Sequence, residues 1–145
     1  MASAEQNRPI EWRKAVRAMG RLIENPEATD EVFTIIDALS GKSLETGFQR
    51  FIGTAMGRQI IAERRSLLET LRDRDYLATL PEDSLAAHYL KFVTTENISA
   101  EGLVEPSQDM RESRQLDSDR LLFVNRQRDM HDLWHTVAEY GRDEL

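Results

Sequence analysis

The sequence predicts an all-α fold, an irregular bundle of about six or seven helices. Apolar residues recur at intervals of three and four along most of the 145 residues, which is the period of one helix face. Strand-like alternation is scarce, and Pro, Gly and Asn separate the helical runs. The length fits one domain, so we expect a single helical domain over residues 1–145.

Each of the first three predicted helices has one apolar stripe. Asn25-Pro26 ends the first run and Gly41 ends the second. The stripes are expected to face inward, as plain core or as the lining of an apolar groove. They consist of Trp12, Val16, Met19 and Ile23; of Val32, Phe33, Ile36 and Leu39; and of Leu44, Phe48, Phe51, Ile52 and Ala55.

The second half of the chain predicts further helices between polar connections. The charged run over residues 72–75 is typical of a solvated turn or helix end. After Pro81, Asp83 or Ser84 is expected to cap a helix that continues to Phe92. Residues 97–118 are polar and predict a mobile connection, and a long helix is expected from about Asp119 to Tyr140.

Composition excludes several classes of function. A net charge of −7 argues against a general nucleic-acid binder, because phosphate neutralisation needs an excess of Lys and Arg. The absence of cysteine excludes disulfides and thiolate metal sites. No apolar run approaches the ~20 residues of a membrane span, and the first residues lack the pattern of a secretory signal. We therefore expect a cytoplasmic protein.

Two histidines in the last predicted helix form a candidate metal site. His131 and His135 lie about 40° apart on a helical wheel, so their imidazoles can converge on one ion. Asp132, about 100° away, could be a third ligand or a carboxylate that orients a ligating histidine. The pair could equally be structural. His88 could face this site, but a buried, hydrogen-bonded histidine is the better interpretation.

The run NRQRDMHDLWHTVAEYGRDEL closely resembles the signature of the coenzyme Q (ubiquinone) biosynthesis protein 4 family. That signature is HDxxH, eleven further residues with a YGRD-type turn, and a glutamate; here His131, Asp132, His135 and residues 140–143 match. The glutamate would fall two residues past Leu145, so we expect an N-terminal portion of a longer domain. The stretch LPEDSLAAHYLKF also resembles the family, whereas Glu139 stands where a small residue is expected.

The resemblance implies a metal-dependent enzyme of ubiquinone synthesis. In that interpretation His131, Asp132 and His135 are both catalytic and metal-binding residues, holding a divalent ion that is zinc, iron, cobalt or manganese. The implied substrate is the polyprenylated aromatic ring precursor, with oxidative decarboxylation and hydroxylation at ring carbon one. The chain without the glutamate is expected to bind metal weakly.

The resemblance also implies partners and an alternative function. The expected partners are other ubiquinone biosynthesis enzymes, the inner membrane through peripheral contact, and a second copy in a homodimer. The alternative is a non-catalytic scaffold that binds lipid and organises the other enzymes.

Overall fold

The computed structural model describes residues 8–100 and 116–139. These residues form nine helices and no strand, which confirms the all-α prediction. The helices are α1 Trp12–Glu24, α2 Thr29–Ser40, α3 Ser43–Gly53, α4 Ala55–Glu63, α5 Leu67–Arg72, α6 Arg74–Ala78, α7 Leu85–Thr95, α8 Ser118–Asp129 and α9 His131–Ala138. Most of the predicted mobile connection and the YGRD turn lie outside the described residues.

The helices outnumber the predicted six or seven because short breaks divide several predicted runs. Thr54 and Asp73 each leave the helical conformation and cap the helix that follows. Each side chain accepts a hydrogen bond from the backbone N–H three residues later, at Gly57 and Tyr76 respectively. Met130 interrupts the final predicted helix and separates α8 from α9. A side-chain oxygen at a break satisfies a backbone donor, so such interruptions cost little.

The described residues fall into two compact units. Unit one comprises residues 8–64 and 116–123, and unit two comprises residues 65–100 and 124–139. The prediction of a single domain over residues 1–145 stays a prediction. Within the described ranges no helix is both long and apolar enough to cross a bilayer.

In unit one, α1 and α2 form an antiparallel hairpin. The backbone N–H of Glu11 donates to the carbonyl of Ala38 at 2.8 Å, and at the other end Arg21 forms a two-pronged ion pair with Glu31. The small residues Ala15 and Ala18 are buried on the inner face of α1. Small side chains allow the two helices to approach closely, so they replace the predicted stripe as the packing surface.

The larger apolar residues of this hairpin contradict the prediction that they face inward. The exposed side chains are Trp12, Val16, Met19 and Ile23 on α1 and Val32, Ile36 and Leu39 on α2. In the third stripe, Phe48 and Phe51 pack on Phe123 with ring centroids 5.8 and 5.3 Å apart, as expected. Ala55 of that stripe is exposed at the start of α4, so its predicted inward position is wrong. Helical periodicity identified which apolar residues share a helix face, but it did not predict whether that face is buried.

A buried charged network joins α3 to the start of α8 within unit one. Glu45 is buried and accepts two hydrogen bonds of 2.7 Å from the guanidinium of Arg120, and one of 2.8 Å from Gln49. Arg120 also donates to Asp117 at 2.6 Å and lies 4.6 Å from the ring centroid of Phe48. Because these polar groups pair with one another, the buried carboxylate of Glu45 is compensated.

Unit two has an apolar core beneath α7. Ser84 caps this helix by accepting a hydrogen bond from the Ala87 N–H at 3.3 Å, so it is the second of the two predicted candidates, Asp83 and Ser84, that forms the cap. Leu133 of α9 packs against the core, which anchors the helix that bears the candidate histidines. The buried core residues are Leu71, Leu77, Tyr89 and Val93.

Candidate functional site

The structure brings His131 and His135 together on successive turns of α9. Their Nε2 atoms are 3.3 Å apart, and their ring centroids are 4.6 Å apart with the planes at 65°. The Nε2 atoms of both imidazoles therefore point towards the same position. The convergence predicted from the four-residue spacing is present.

The 3.3 Å separation suits a shared metal ion. Two imidazole nitrogens, each about 2.0–2.1 Å from one ion at the tetrahedral angle, would be about 3.3 Å apart. The same separation also allows a direct hydrogen bond, in which one Nε2–H donates to the other Nε2. The pair thus fits a metal without requiring one.

Asp132 contacts His131 on the side of the ring away from this convergence. Its Oδ1 lies 3.1 Å from Nδ1 of His131, a distance at which an Nδ1–H donates to the carboxylate. A proton held on Nδ1 leaves a lone pair on Nε2, the atom that points towards His135. Of the two roles that the sequence left open for Asp132, this contact corresponds to the orienting carboxylate.

Phe92 holds the second histidine from the neighbouring helix. Its ring lies parallel to the imidazole of His135, with centroids 5.8 Å apart and only 8° between the planes. Phe92 is on α7, so the stack connects α7 to α9 within unit two. Sequence reasoning missed this role, although Phe92 is the last residue of the family-like stretch LPEDSLAAHYLKF.

The described part of the chain does not supply a complete ligand set. In residues 8–100 and 116–139, no group of three His, Cys, Asp or Glu side chains is placed to hold a metal ion. His88 is exposed on α7, so the expectation of a buried histidine is wrong. Glu139 is exposed too, in a left-handed conformation with φ of 57° at the end of α9. Within these ranges, the two histidines and Asp132 therefore do not form a complete ligand set.

A buried ion pair immediately precedes the histidines. The side chains of Arg128 and Asp129 are nearly fully buried, and Nε and Nη2 of the arginine donate to Oδ1 of the aspartate at 2.8 and 2.5 Å. The guanidinium of Arg128 therefore pairs within the chain, which fixes the residues just before α9.

Comparison with known proteins identifies the family. The family model described as Coenzyme Q (ubiquinone) biosynthesis protein Coq4 matches residues 10–143. The chain belongs to this family. Its match includes both histidines, Asp132 and Phe92.

Similar proteins come from several eukaryotes. A Ubiquinone biosynthesis protein COQ4, mitochondrial, from Lodderomyces elongisporus is 30% identical over 83 residues, which is 57% of this chain and 21% of that protein. The homologue named mitochondrial from Rattus norvegicus is 27% identical over 124 residues, or 85% of this chain and 44% of that protein. Homologue 2 from Culex quinquefasciatus is 28% identical over 114 residues, 78% of this chain and 48% of that protein.

The chain spans from about a fifth to about half of the length of these relatives. No solved structure matches it. Nothing in these comparisons tests the predicted cytoplasmic location, and the relatives above carry the word mitochondrial in their names.

Proposed function

We propose that this chain supplies the histidine half of a divalent-metal site that acts on the polyprenylated aromatic precursor of ubiquinone. Family membership supports the role in ubiquinone biosynthesis. The observation that carries the metal proposal is the pair of Nε2 atoms 3.3 Å apart, with the Asp132 carboxylate on Nδ1 of His131. The proposed reaction is oxidative decarboxylation and hydroxylation at ring carbon one.

Each residue of the site has a distinct proposed task. His131 and His135 present Nε2 to the ion, and Asp132 keeps the proton of His131 on Nδ1. The stacked ring of Phe92 restricts rotation of His135. When bound, a divalent ion would polarise the substituents of the aromatic ring as a Lewis acid. Nitrogen and oxygen donors without thiolate suit zinc, iron, cobalt and manganese.

The proposed reaction needs an electron acceptor. Replacing a ring carboxyl by a hydroxyl releases carbon dioxide, and it removes two electrons when water supplies the new oxygen. Zinc has no redox chemistry, so a zinc site would require a separate acceptor. The identity of the ion is therefore linked to the identity of the oxidant.

The second candidate function is a lipid-binding scaffold that organises the other biosynthesis enzymes. Two observations favour it. The described residues contain no three-residue ligand group, and α1 and α2 expose a row of large apolar side chains. Contact with the other enzymes and formation of a homodimer stay predictions under either proposed function.

One experiment separates the two functions. The chain is incubated with a prenylated hydroxybenzoate labelled in its carboxyl carbon, an electron acceptor and one of the four divalent metals. Release of labelled carbon dioxide and binding of the precursor are measured in parallel. We expect release by the parent and by His88→Ala, whose histidine is exposed on α7, and none by His131→Ala or His135→Ala. Precursor binding by all four proteins, without release by any, would favour the scaffold.

A further inference from the structure

A cavity in unit one is lined by an excess of positive charge. Its volume is about 760 Å³, and it lies between the residues that precede α1, the turn from α2 to α3 and one face of α3. Arg8, Lys42 and Arg50 line it, and among the described residues no Asp or Glu does. The whole chain has a net charge of −7, so the cavity is opposite in sign to the molecule that contains it. A concave surface lined by one sign of charge concentrates ligands of the other sign.

The wall formed by α3 owes its charge to a helical repeat. Lys42 directly precedes α3, and Thr46 and Arg50 follow it at intervals of four residues. These three residues therefore lie within about 80° on a helical wheel, and Ser43 lies about 100° from Lys42. All four line the cavity. The hydroxyl of Thr46 donates to the carbonyl of Lys42 at 3.1 Å, whereas the hydroxyl of Ser43 has no partner within the described residues and can donate to a ligand.

Two of the three cations have no counter-charge from their own unit. Lys42 and Arg50 are exposed, and neither forms an ion pair within residues 8–100 and 116–139. The acidic residue of α3 is Glu45, but its carboxylate accepts two hydrogen bonds of 2.7 Å from Arg120 and does not line the cavity. An anion bound beside Lys42 and Arg50 would supply the charge that the described residues do not.

The wall formed by residues 8–10 is fixed without a ligand. Nη2 of Arg8 donates to the buried carboxylate of Asp37 at 2.8 Å, so this cation is held in place by its own ion pair. The turn between α2 and α3 lies directly against the same segment, because a Cβ at Gly41 would lie 3.2 Å from Cγ1 of Ile10. A preformed cavity loses little conformational freedom when it binds a ligand.

The start of α3 adds backbone donors beside these cations. Lys42 stands at the N-cap and makes no side-chain capping bond. The backbone N–H groups of Ser43 and Leu44 have no acceptor within the part of the chain that the structure describes. Such groups carry the positive end of the helix dipole and donate readily to phosphate oxygens. A helix start alone would not select a ligand, but here it coincides with the cation-lined cavity.

We propose that this cavity binds the phosphate group of a small soluble molecule, a phosphomonoester or a diphosphate. Lys42 contributes a compact positive charge and Arg50 a fork of N–H donors, and Ser43 donates its hydroxyl. A phosphate monoester carries nearly two negative charges and three acceptor oxygens, which matches two uncompensated cations better than a single carboxylate does. The turn is not the phosphate loop of nucleotide triphosphatases, because Ile36 stands where that loop requires glycine.

This phosphate site is separate from the candidate metal site. His131, Asp132 and His135 belong to unit two, and none of them lines the cavity, which is built from unit one. Binding of a phosphate here needs neither a divalent ion nor the aromatic ring precursor. The inference therefore goes beyond the proposed function and does not depend on it.

The test is isothermal titration calorimetry with pyrophosphate in a phosphate-free buffer of low ionic strength, after divalent ions have been removed on a chelating resin. We expect the parent chain to bind about one equivalent, and added salt to weaken the binding. Lys42→Ala/Arg50→Ala should weaken it at least about tenfold. The matched control, Arg13→Ala/Arg17→Ala, removes the same charge from exposed positions of α1 in the same unit and should retain most of the affinity.

A second pair of variants tests the site without removing a cation. Ser43→Glu places a carboxylate in the cavity, where it should pair with the cations and exclude pyrophosphate. An acid in the first turn of a helix is favourable, so the fold should survive, as circular dichroism would show. Ser43→Gln has the same size without the charge and should retain most of the binding. In nitrogen-15 spectra of the parent, pyrophosphate should shift the backbone N–H signals of Ser43 and Leu44.

Four results would overturn the proposal. The parent could fail to bind pyrophosphate, or the two arginine and lysine pairs could lose binding equally, which would indicate a non-specific effect of charge. Citrate, a carboxylate anion of similar charge, could bind more tightly than pyrophosphate, which would exclude a phosphate site. Finally, binding could be lost in His131→Ala/His135→Ala and kept in Lys42→Ala/Arg50→Ala, which would assign it to the histidines. We expect the histidine variant to bind pyrophosphate like the parent, whatever the outcome for metal.

Discussion

Gly57 offers a sharp test of how α3 and α4 meet. A Cβ at this position would lie 1.9 Å from the carbonyl oxygen of Phe51 and 2.9 Å from Oγ1 of Thr54. Ordinary contact requires the Phe51 carbonyl to move by about 1 Å or more. That movement would disturb Thr54, whose Oγ1 accepts a hydrogen bond from the Gly57 N–H at 2.9 Å and donates to the Phe51 carbonyl at 2.8 Å.

The expected cost of Gly57→Ala follows from these contacts. Overpacking costs about 1–3 kcal/mol, and disturbing the Thr54 cap costs about 1 kcal/mol. Alanine recovers up to about 1 kcal/mol through its better helix propensity. We therefore expect the free energy of unfolding to fall by about 1–4 kcal/mol, which lowers the midpoint of thermal unfolding by about 3–15 °C.

The control is Gly53→Ala, four residues earlier at the end of α3. A Cβ there would meet nothing within 4 Å, so we expect no loss and a gain of up to about 1 kcal/mol. Urea unfolding is followed by circular dichroism and, in a Trp134→Phe background, by the fluorescence of Trp12, which lies in unit one with Gly57. Equal stability of the two alanine variants would refute the close approach of α4 to Phe51.

Three further predictions concern the helix end, acid stability and the orienting carboxylate. Glu139→Gly should raise the free energy of unfolding by about 1 kcal/mol in urea titrations, because glycine adopts the left-handed conformation without steric cost; an unchanged midpoint would contradict this. The backbone N–H and guanidinium of Arg120 hold the pKa of Asp117 below its usual range. Its stabilising contribution is therefore complete above the unfolded value of about 3.9 and is lost as pH falls through the lower folded pKa. Asp117→Asn should destabilise the chain at neutral pH and match the parent in strong acid, and a constant difference at all pH values would argue against the pairing. Asp132→Asn should weaken metal binding by about tenfold with helical content unchanged, and an unaltered dissociation constant would remove its orienting role on His131.

Local sequence determined much of the secondary structure. Residue chemistry limited the cap of α7 to Asp83 or Ser84, of which Ser84 is the cap, and it predicted the break at Gly41, which has a positive φ of 49°. The convergence of His131 and His135 followed from the four-residue spacing, because helix geometry places such side chains on one face.

Features that depend on distant segments could not be predicted in this way. The stack of Phe92 on His135 joins α7 to α9, and no local period encodes which helices pair. The contact of Asp132 with Nδ1 of His131 depends on the rotamer of the aspartate side chain, which a helical wheel does not show. The exposure of Trp12 and Ile23 was not predicted. Periodicity identifies an amphipathic helix, but it does not show whether the rest of the chain covers the apolar face.

The central claim is that His131 and His135 bind one divalent ion. The direct test is equilibrium dialysis of the chain against a concentration series of zinc or cobalt, with metal and protein quantified in the same samples. We predict saturation near one equivalent for the parent and for His88→Ala, and no specific binding by His131→Ala/His135→Ala. Equal metal content in all three proteins, or none in the parent, would contradict the account and leave the two imidazoles as a hydrogen-bonded pair.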